Sequence, residues 1–295
     1  MKLKLREEYR QLSVQEKKRI GFYMVCAVLF YLSLLVLVGY SIYCWWQNKS
    51  TETTQKVLQN IRETAENVSE DGPVSDDGAT AATKEQSAKP EILPKYQSLY
   101  EINSDMVGWL SIDDTVVDYP VMQTMDNEIY YIDVDFYKKS NKNGCLIMDT
   151  DSTVGTGTAA CNYADGTAPS TNLIIHGHTV KKGEMFGDLT LYAEREYGKE
   201  HNIICFDSLY EERKYEVISV FYSQVYYEED DVFKFYKFFQ ADTQEEFDNW
   251  YDNIKEMSLY DTGVTAEFGD EFITLSSCTY QVEDGRFVVV GKRIE

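Results

Sequence analysis

Histidine is scarce in this chain, with three in 295 residues, and none of its six cysteines falls in a Cys-x-x-Cys pair. Without a His-x-x-x-His or paired-cysteine spacing, and with three histidines in all, a structural metal site is not expected. Basic residues are also few, 28 Lys or Arg against 50 Asp or Glu, for a formal net charge of −22. Such a balance opposes binding to nucleic acid, whose phosphates attract basic surfaces. There is no glycine-rich phosphate cradle, so no nucleotide and no other cofactor is expected. What the chain does have is 43% hydrophobic and 14% aromatic residues, enough to exclude a wholly disordered protein.

The charge is uneven along the chain. Residues 1–20 hold seven Lys or Arg and three Glu, a net of +4, and read as a cytoplasmic tail. Residues 21–46 hold no charge at all. As a helix they extend about 39 Å at about 1.5 Å per residue, enough to cross a hydrocarbon core of roughly 30 Å. Lys17, Lys18 and Arg19 mark the cytoplasmic side, and Tyr43, Trp45 and Trp46 suit the outer interface. A cleaved signal peptide competes with this reading. The run is too long for one, and no small-residue cleavage site follows promptly, so a single-pass anchor is expected with the remainder outside the cell.

Residues 47–93 read as an extracellular stalk. Val57, Leu58, Ile61, Ala65 and Val68 fall at roughly helical spacing, so residues 53–68 are expected to form a weak amphipathic helix. Residues 69–90 are mostly Asp, Glu, Gly, Ala, Thr and Ser, the composition of a flexible tether. The folded domain is expected over 94–295. A short helix after Pro94 leads into eight short apolar runs, at 107–112, 116–119, 145–148, 172–175, 203–206, 215–221, 272–278 and 286–291. Eight strands and few helices point to an all-β barrel or sandwich. One helix interrupts them at 243–257, where Phe247, Trp250, Tyr251 and Ile254 form an apolar stripe.

The last two runs carry the chemistry. Thr274-Leu275-Ser276-Ser277-Cys278 ends one strand, and Arg286 opens the next after a polar connection containing Glu283, Asp284 and Gly285. Antiparallel pairing puts Cys278 and Arg286 at the same end of the sheet. A guanidinium there favours thiolate and can hold an oxyanion. The plainer alternative is a small buried Cys278 and a solvated Arg286. A second strand, Asn172-Leu173-Ile174-Ile175, runs into His176-Gly177-His178-Thr179, followed by Met185-Phe186-Gly187-Asp188-Leu189.

Together these stretches resemble the sortases, membrane-anchored cysteine transpeptidases of Gram-positive bacteria, over roughly residues 93–295. Gly177-His178 followed by Met185-Phe186-Gly187-Asp188-Leu189 looks like class B. The resemblance implies a closed eight-stranded β-barrel with an N-terminal helix and a long helix between strands six and seven. It implies Cys278 as nucleophile, His178 as acid and base, and Arg286 as oxyanion holder, with Ser276 and Asn127 touching substrate. It also implies the partners: secreted proteins bearing a C-terminal sorting motif, and an amine acceptor of peptidoglycan or pilin type. Pilin polymerisation and simple peptide hydrolysis are neighbouring chemistries. A non-catalytic tethered binding protein is the alternative from another class.

Two features depart from the family pattern. Residues 149–170, rich in Thr, Gly, Ala and Asp, lengthen the connection before the histidine strand. His176 stands where a tyrosine or other bulky residue is usual, so two histidines flank Gly177. His201 reads as a solvated turn residue and Cys205 as core, while Cys26 and Cys44 lie in the membrane run. Spacing alone leaves a Cys145–Cys161 disulfide open.

Overall fold

The computed structural model describes residues 12–70, 90–161, 163, 166–179, 183–279 and 284–295, with backbone only for Ser69, Glu70 and Cys161. The chain divides into two compact units, Met1–Ser50 and Thr51–Glu295. Helix α1, Val14–Glu70, contributes to both. In the first unit it is long and apolar enough to cross a membrane, and its most apolar window is not buried against protein.

The second unit is built on eight strands: β1 Met106–Ser111, β2 Asp118–Met122, β3 Leu146–Met148, β4 Asn172–Gly177, β5 Ile203–Ser208, β6 Lys214–Gln224, β7 Phe272–Cys278 and β8 Gly285–Arg293. They form one sheet in the order β1-β2-β3-β4-β7-β8-β6-β5, and pairing of β1 with β5 closes it into a barrel. Most neighbours are antiparallel, but β2–β3 and β4–β7 are parallel. Parallel pairing requires a long crossover. Between β4 and β7 that crossover contains helix α3 (Arg195–Glu200), β5, β6 and helix α4 (Gln244–Met257).

Strand alternation sorts the side chains. Ile273 and Leu275 of β7 and Phe287 and Val289 of β8 enter the barrel interior, with Leu146, Leu173, Ile175 and Phe186. Phe272, Val288 and Val290 point outward and are covered by Phe247, Trp250 and Ile254 of α4. That helix begins with a capping box, in which the Thr243 hydroxyl accepts from the Glu246 N–H while the Glu246 side chain accepts from the Thr243 N–H. Its apolar stripe is packed as the sequence spacing predicts. The outer face of β7 beyond α4 remains open, and it carries Ser276 and Cys278.

The boundary expected at residue 94 moves. Helix α2 does span Pro94–Ile102, yet the folded unit already starts at Thr51. Leu58 is buried in a cluster with Tyr96, Leu99, Trp109 and Met122. Asp118 draws the rest of this helical segment in. Its carboxylate accepts from Trp109 Nε1 at 2.6 Å, Gln59 Nε2 at 2.7 Å and Arg62 Nη1 at 2.8 Å. The Arg62 guanidinium also lies 4.6 Å over the Trp109 ring, a cation–π contact. Residues 51–62 of the expected stalk therefore belong to the barrel's packing. Helical spacing marked the apolar positions, but their partners on β1 and β2 are not legible from it. Most of the expected tether, 71–89, lies outside the described residues.

The long connection 149–170 is tied down at several described points. Arg213, buried, donates to the Val154 carbonyl at 3.0 Å, and Glu211 accepts from the Ala159 N–H at 2.6 Å. A fragment of residues 51–295 is expected to melt several degrees above one of residues 93–295. Leu58→Ala in the longer fragment is expected to cost about 2–5 kcal/mol, read from urea unfolding. Equal stability of the two fragments would show that the helical segment adds nothing.

Candidate active site

The register around β7 assembles the site. Strand β4 runs parallel to β7, with His176 opposite Ser276 and Gly177 opposite Ser277. The next residues along are His178 and Cys278, and the Thr179 hydroxyl donates to the Cys278 carbonyl just beyond. On the other side β8 runs antiparallel, with Cys278 opposite Arg286. Neighbouring strands lie about 4.8 Å apart and alternate residues share a face. His178, Cys278 and Arg286 thus come side by side, with His176 and Ser276 one step behind.

Gly177 shows which way the histidines point. A Cβ there would come within 2.5 Å of Phe186 Cδ2 and 2.6 Å of Leu146 Cδ2, both in the filled interior. Position 177 accepts no side chain, so its two neighbours carry theirs on the opposite, open face. Phe186 comes from the Met185-Phe186-Gly187 turn, which explains why that motif accompanies Gly177-His178.

All these outward residues line one cavity of about 220 Å³. Its floor is His176, His178, Ser276, Cys278 and Arg286, and Cys145 and Ile147 lie on the β3 side. Glu128, Ile129 and Ile132 form a wall from the segment after β2. His178 Nε2 lies 2.6 Å from the Ile132 carbonyl oxygen. A carbonyl only accepts, so this contact places the proton on Nε2 and leaves Nδ1 as the nitrogen that can change protonation. Arg286 Nη1 donates back to the carbonyls of Gly285 at 3.0 Å and Asp284 at 3.2 Å. A guanidinium has five N–H groups, and these two contacts engage one nitrogen.

The two cleft thiols differ. Cys278 is half-buried, whereas Cys145 is buried and donates to the Val134 carbonyl at 3.5 Å. Burial, with the Asp135 charge second, pushes the Cys145 thiol far above the ordinary thiol range, so it stays protonated and unreactive. Cys145 is a free thiol. The side chain of Cys161 lies outside the described residues.

Other expectations shift. Asn127 is exposed and does not line the cavity. Its carbonyl accepts from Thr124 Oγ1 at 2.6 Å and Tyr130 N at 2.9 Å, closing the turn that presents Glu128. Ser276 does line the cavity, and its Oγ is buried without a hydrogen-bond partner among the described residues. His201 is not simply solvated, because its ring stacks on Tyr197 at 4.1 Å and its Nδ1 lies 2.9 Å from the Tyr197 carbonyl. Cys205 is half-buried on the outward side of β5 rather than in the core. His176 Nε2 lies 3.2 Å from Asp149 Oδ2. Sequence reading singled out neither Glu128 nor Asp149 nor Ile132, and the contribution of Ile132 is a backbone atom that no residue type announces.

A thiol flanked by an imidazole and a guanidinium on an open barrel face defines a sortase-like cleft, suited to acyl transfer. No protein-family model matches the chain. It is 28% identical over 264 residues to sortase B of Listeria monocytogenes, covering 88% of this chain and 94% of that protein. It is 27% identical over 206 residues to sortase B of Staphylococcus aureus, covering 69% and 76%. A solved structure of sortase B from Bacillus anthracis superposes with a TM-score of 0.62 at 26% identity, covering 85% of this chain and 99% of that one. The chain is a sortase class B-like protein, and these relatives support a sortase-type transpeptidase in general.

Gly177→Ala is expected to destabilise the folded unit by at least about 1–3 kcal/mol, the usual cost of overpacking a filled core, seen as a lower urea midpoint. In the native protein, iodoacetamide is expected to alkylate Cys278 and spare Cys145, as read by peptide mass mapping. Faster labelling of Cys145 would contradict its buried, protonated state.

Proposed function

We propose that this chain is a membrane-anchored cysteine transpeptidase that cleaves a sorting motif near the carboxyl end of secreted proteins and joins the product to a cell-wall amine. The observation that carries this reading is the adjacency of His178, Cys278 and Arg286 on the floor of one cavity. The apolar part of α1 is the anchor, with the basic residues before it in the cytoplasm and the barrel outside.

In the reaction the Cys278 thiolate attacks a backbone carbonyl of the motif, and the carbonyl π electrons move onto oxygen. Arg286 holds that oxyanion. Collapse expels the amine of the next residue, which takes a proton from the His178 imidazolium and leaves a thioester on Cys278. An incoming amine then attacks the thioester, loses its proton to neutral His178, and displaces the Cys278 thiolate. The proton gained by His178 in the second half balances the one it gives in the first. With Nε2–H held by the Ile132 carbonyl, Nδ1 is the nitrogen that carries this exchange. Ser276, on the cavity floor with no hydrogen-bond partner among the described residues, bonds the motif, and Asn127 lies beside Glu128 of the wall.

The test is incubation with a library of fluorogenic sorting-motif peptides, with and without an added amine, followed by intact-protein mass spectrometry. The expected result is a thioacyl adduct on Cys278 that the amine discharges as a new amide. Cys278→Ala abolishes the adduct. His178→Ala slows turnover by about 10²–10⁴-fold, and Arg286→Ala by about 10²–10³-fold. His176→Ala still forms the adduct. Discharge only by water would make the protein a peptidase, and no adduct with any peptide would leave the tethered binding protein as the better account.

A further inference from the structure

We propose that Glu128, Asp149 and His176 form a binding site for a divalent metal ion of the zinc or manganese type at the edge of the cleft. Three segments far apart in sequence bring one ligand atom each to this spot, all within 4.8 Å of one another. The His176 Nε2 to Asp149 Oδ2 separation of 3.2 Å matches two ligands on one ion, since bonds of about 2.0–2.2 Å put neighbouring ligands roughly 3.0–3.5 Å apart. Glu128 is the exposed member, so its side chain has room to rotate toward the other two. One imidazole and two carboxylates suit zinc or manganese, and the two negative charges balance the ion.

The surroundings are arranged for this. Asp149 Oδ1 accepts from the Asp151 N–H at 2.9 Å, and the Asp149 carbonyl accepts from Gln123 Nε2 at 2.8 Å. Asp149 is thereby fixed with Oδ2 toward His176, the kind of outer support that metal ligands commonly have. A His–Asp pair alone would need no third member, yet Glu128 brings a second carboxylate beside the first.

A separate observation points to a ligand in the same place. Ser276, the cross-strand partner of His176, is 2% exposed, lines the cavity that Glu128 and His176 also line, and its Oγ has no hydrogen-bond partner among the described residues. A water bound to the metal would supply one. Occupancy would also fasten the segment carrying Glu128 and Ile132 to the end of β3, and Ile132 is the residue that holds His178.

The experiment uses the full chain in detergent, in a Cys278→Ala background that removes the thiolate as a competing ligand. Zinc, manganese and magnesium are titrated by calorimetry, with melting temperature as a parallel readout. The expected result is one zinc or manganese ion per chain, a raised melting temperature, and weaker magnesium binding. Glu128→Gln and His176→Ala each lower the affinity by about tenfold or more, with their metal-free melting temperatures confirming the fold. Glu128→Gln alters an exposed side chain and keeps the test available should His176→Ala unfold. Absence of saturable binding below about 1 mM, or binding unchanged in Glu128→Gln, overturns the proposal.

Discussion

The cleft depends on the register of β7 between a parallel and an antiparallel neighbour. Ladder pairing fixes which residues lie abreast, and a slip of one residue would turn every side chain to the other face. Slippage is prevented from inside. Ile273, Leu275, Phe287 and Val289 fill the barrel, so the residues alternating with them have nowhere to go but out. Toward the start of β7 and the end of β8, the outward residues Phe272, Val288 and Val290 are covered by α4. Past its reach they are Ser276 and Cys278. The same apolar packing that stabilises the barrel therefore aims the polar row, and the Thr179 hydroxyl ties the strand ends.

Charge is distributed in keeping with this. The formal charge of −22 belongs to the whole chain, and in the second unit the described basic residues are largely engaged. Lys95 meets Asp207 at 2.8 Å, Arg293 meets Glu271 at 2.6 Å and Glu211 at 2.9 Å, and Arg62 meets Asp118 at 2.8 Å. Each of these pairs joins segments distant in sequence, so they fix how the covering elements meet the barrel. Among the described residues Arg286 differs in bonding only to main-chain carbonyls of its own turn.

Much of this was legible in the sequence, because the signals were local. Short apolar runs marked all eight strands within a few residues, the i, i+3, i+4 stripe marked α4, and strand ends put Cys278 beside Arg286, while His178 was implied by the family resemblance. Features set by distant partners were not legible. Leu58 and Arg62 looked like stalk residues because their partners, Trp109 and Asp118, lie some fifty residues away. Three histidines and no recognised spacing argued against a metal site, yet a cluster can be drawn from residues 128, 149 and 176 once β3 and β4 pair. The resemblance implied Asn127, but the turn geometry puts its neighbour Glu128 on the cavity wall instead.

The contact between His178 Nε2 and the Ile132 carbonyl has an evolutionary consequence. Every residue type supplies the same main-chain oxygen, so substitution at position 132 reshapes the cavity wall but leaves the acceptor in place. A change in the number of residues between β2 and β3 would displace it. Selection on this contact therefore acts on the length of a segment and leaves its composition free, and relatives can differ at every side chain along that segment while keeping the same histidine tautomer.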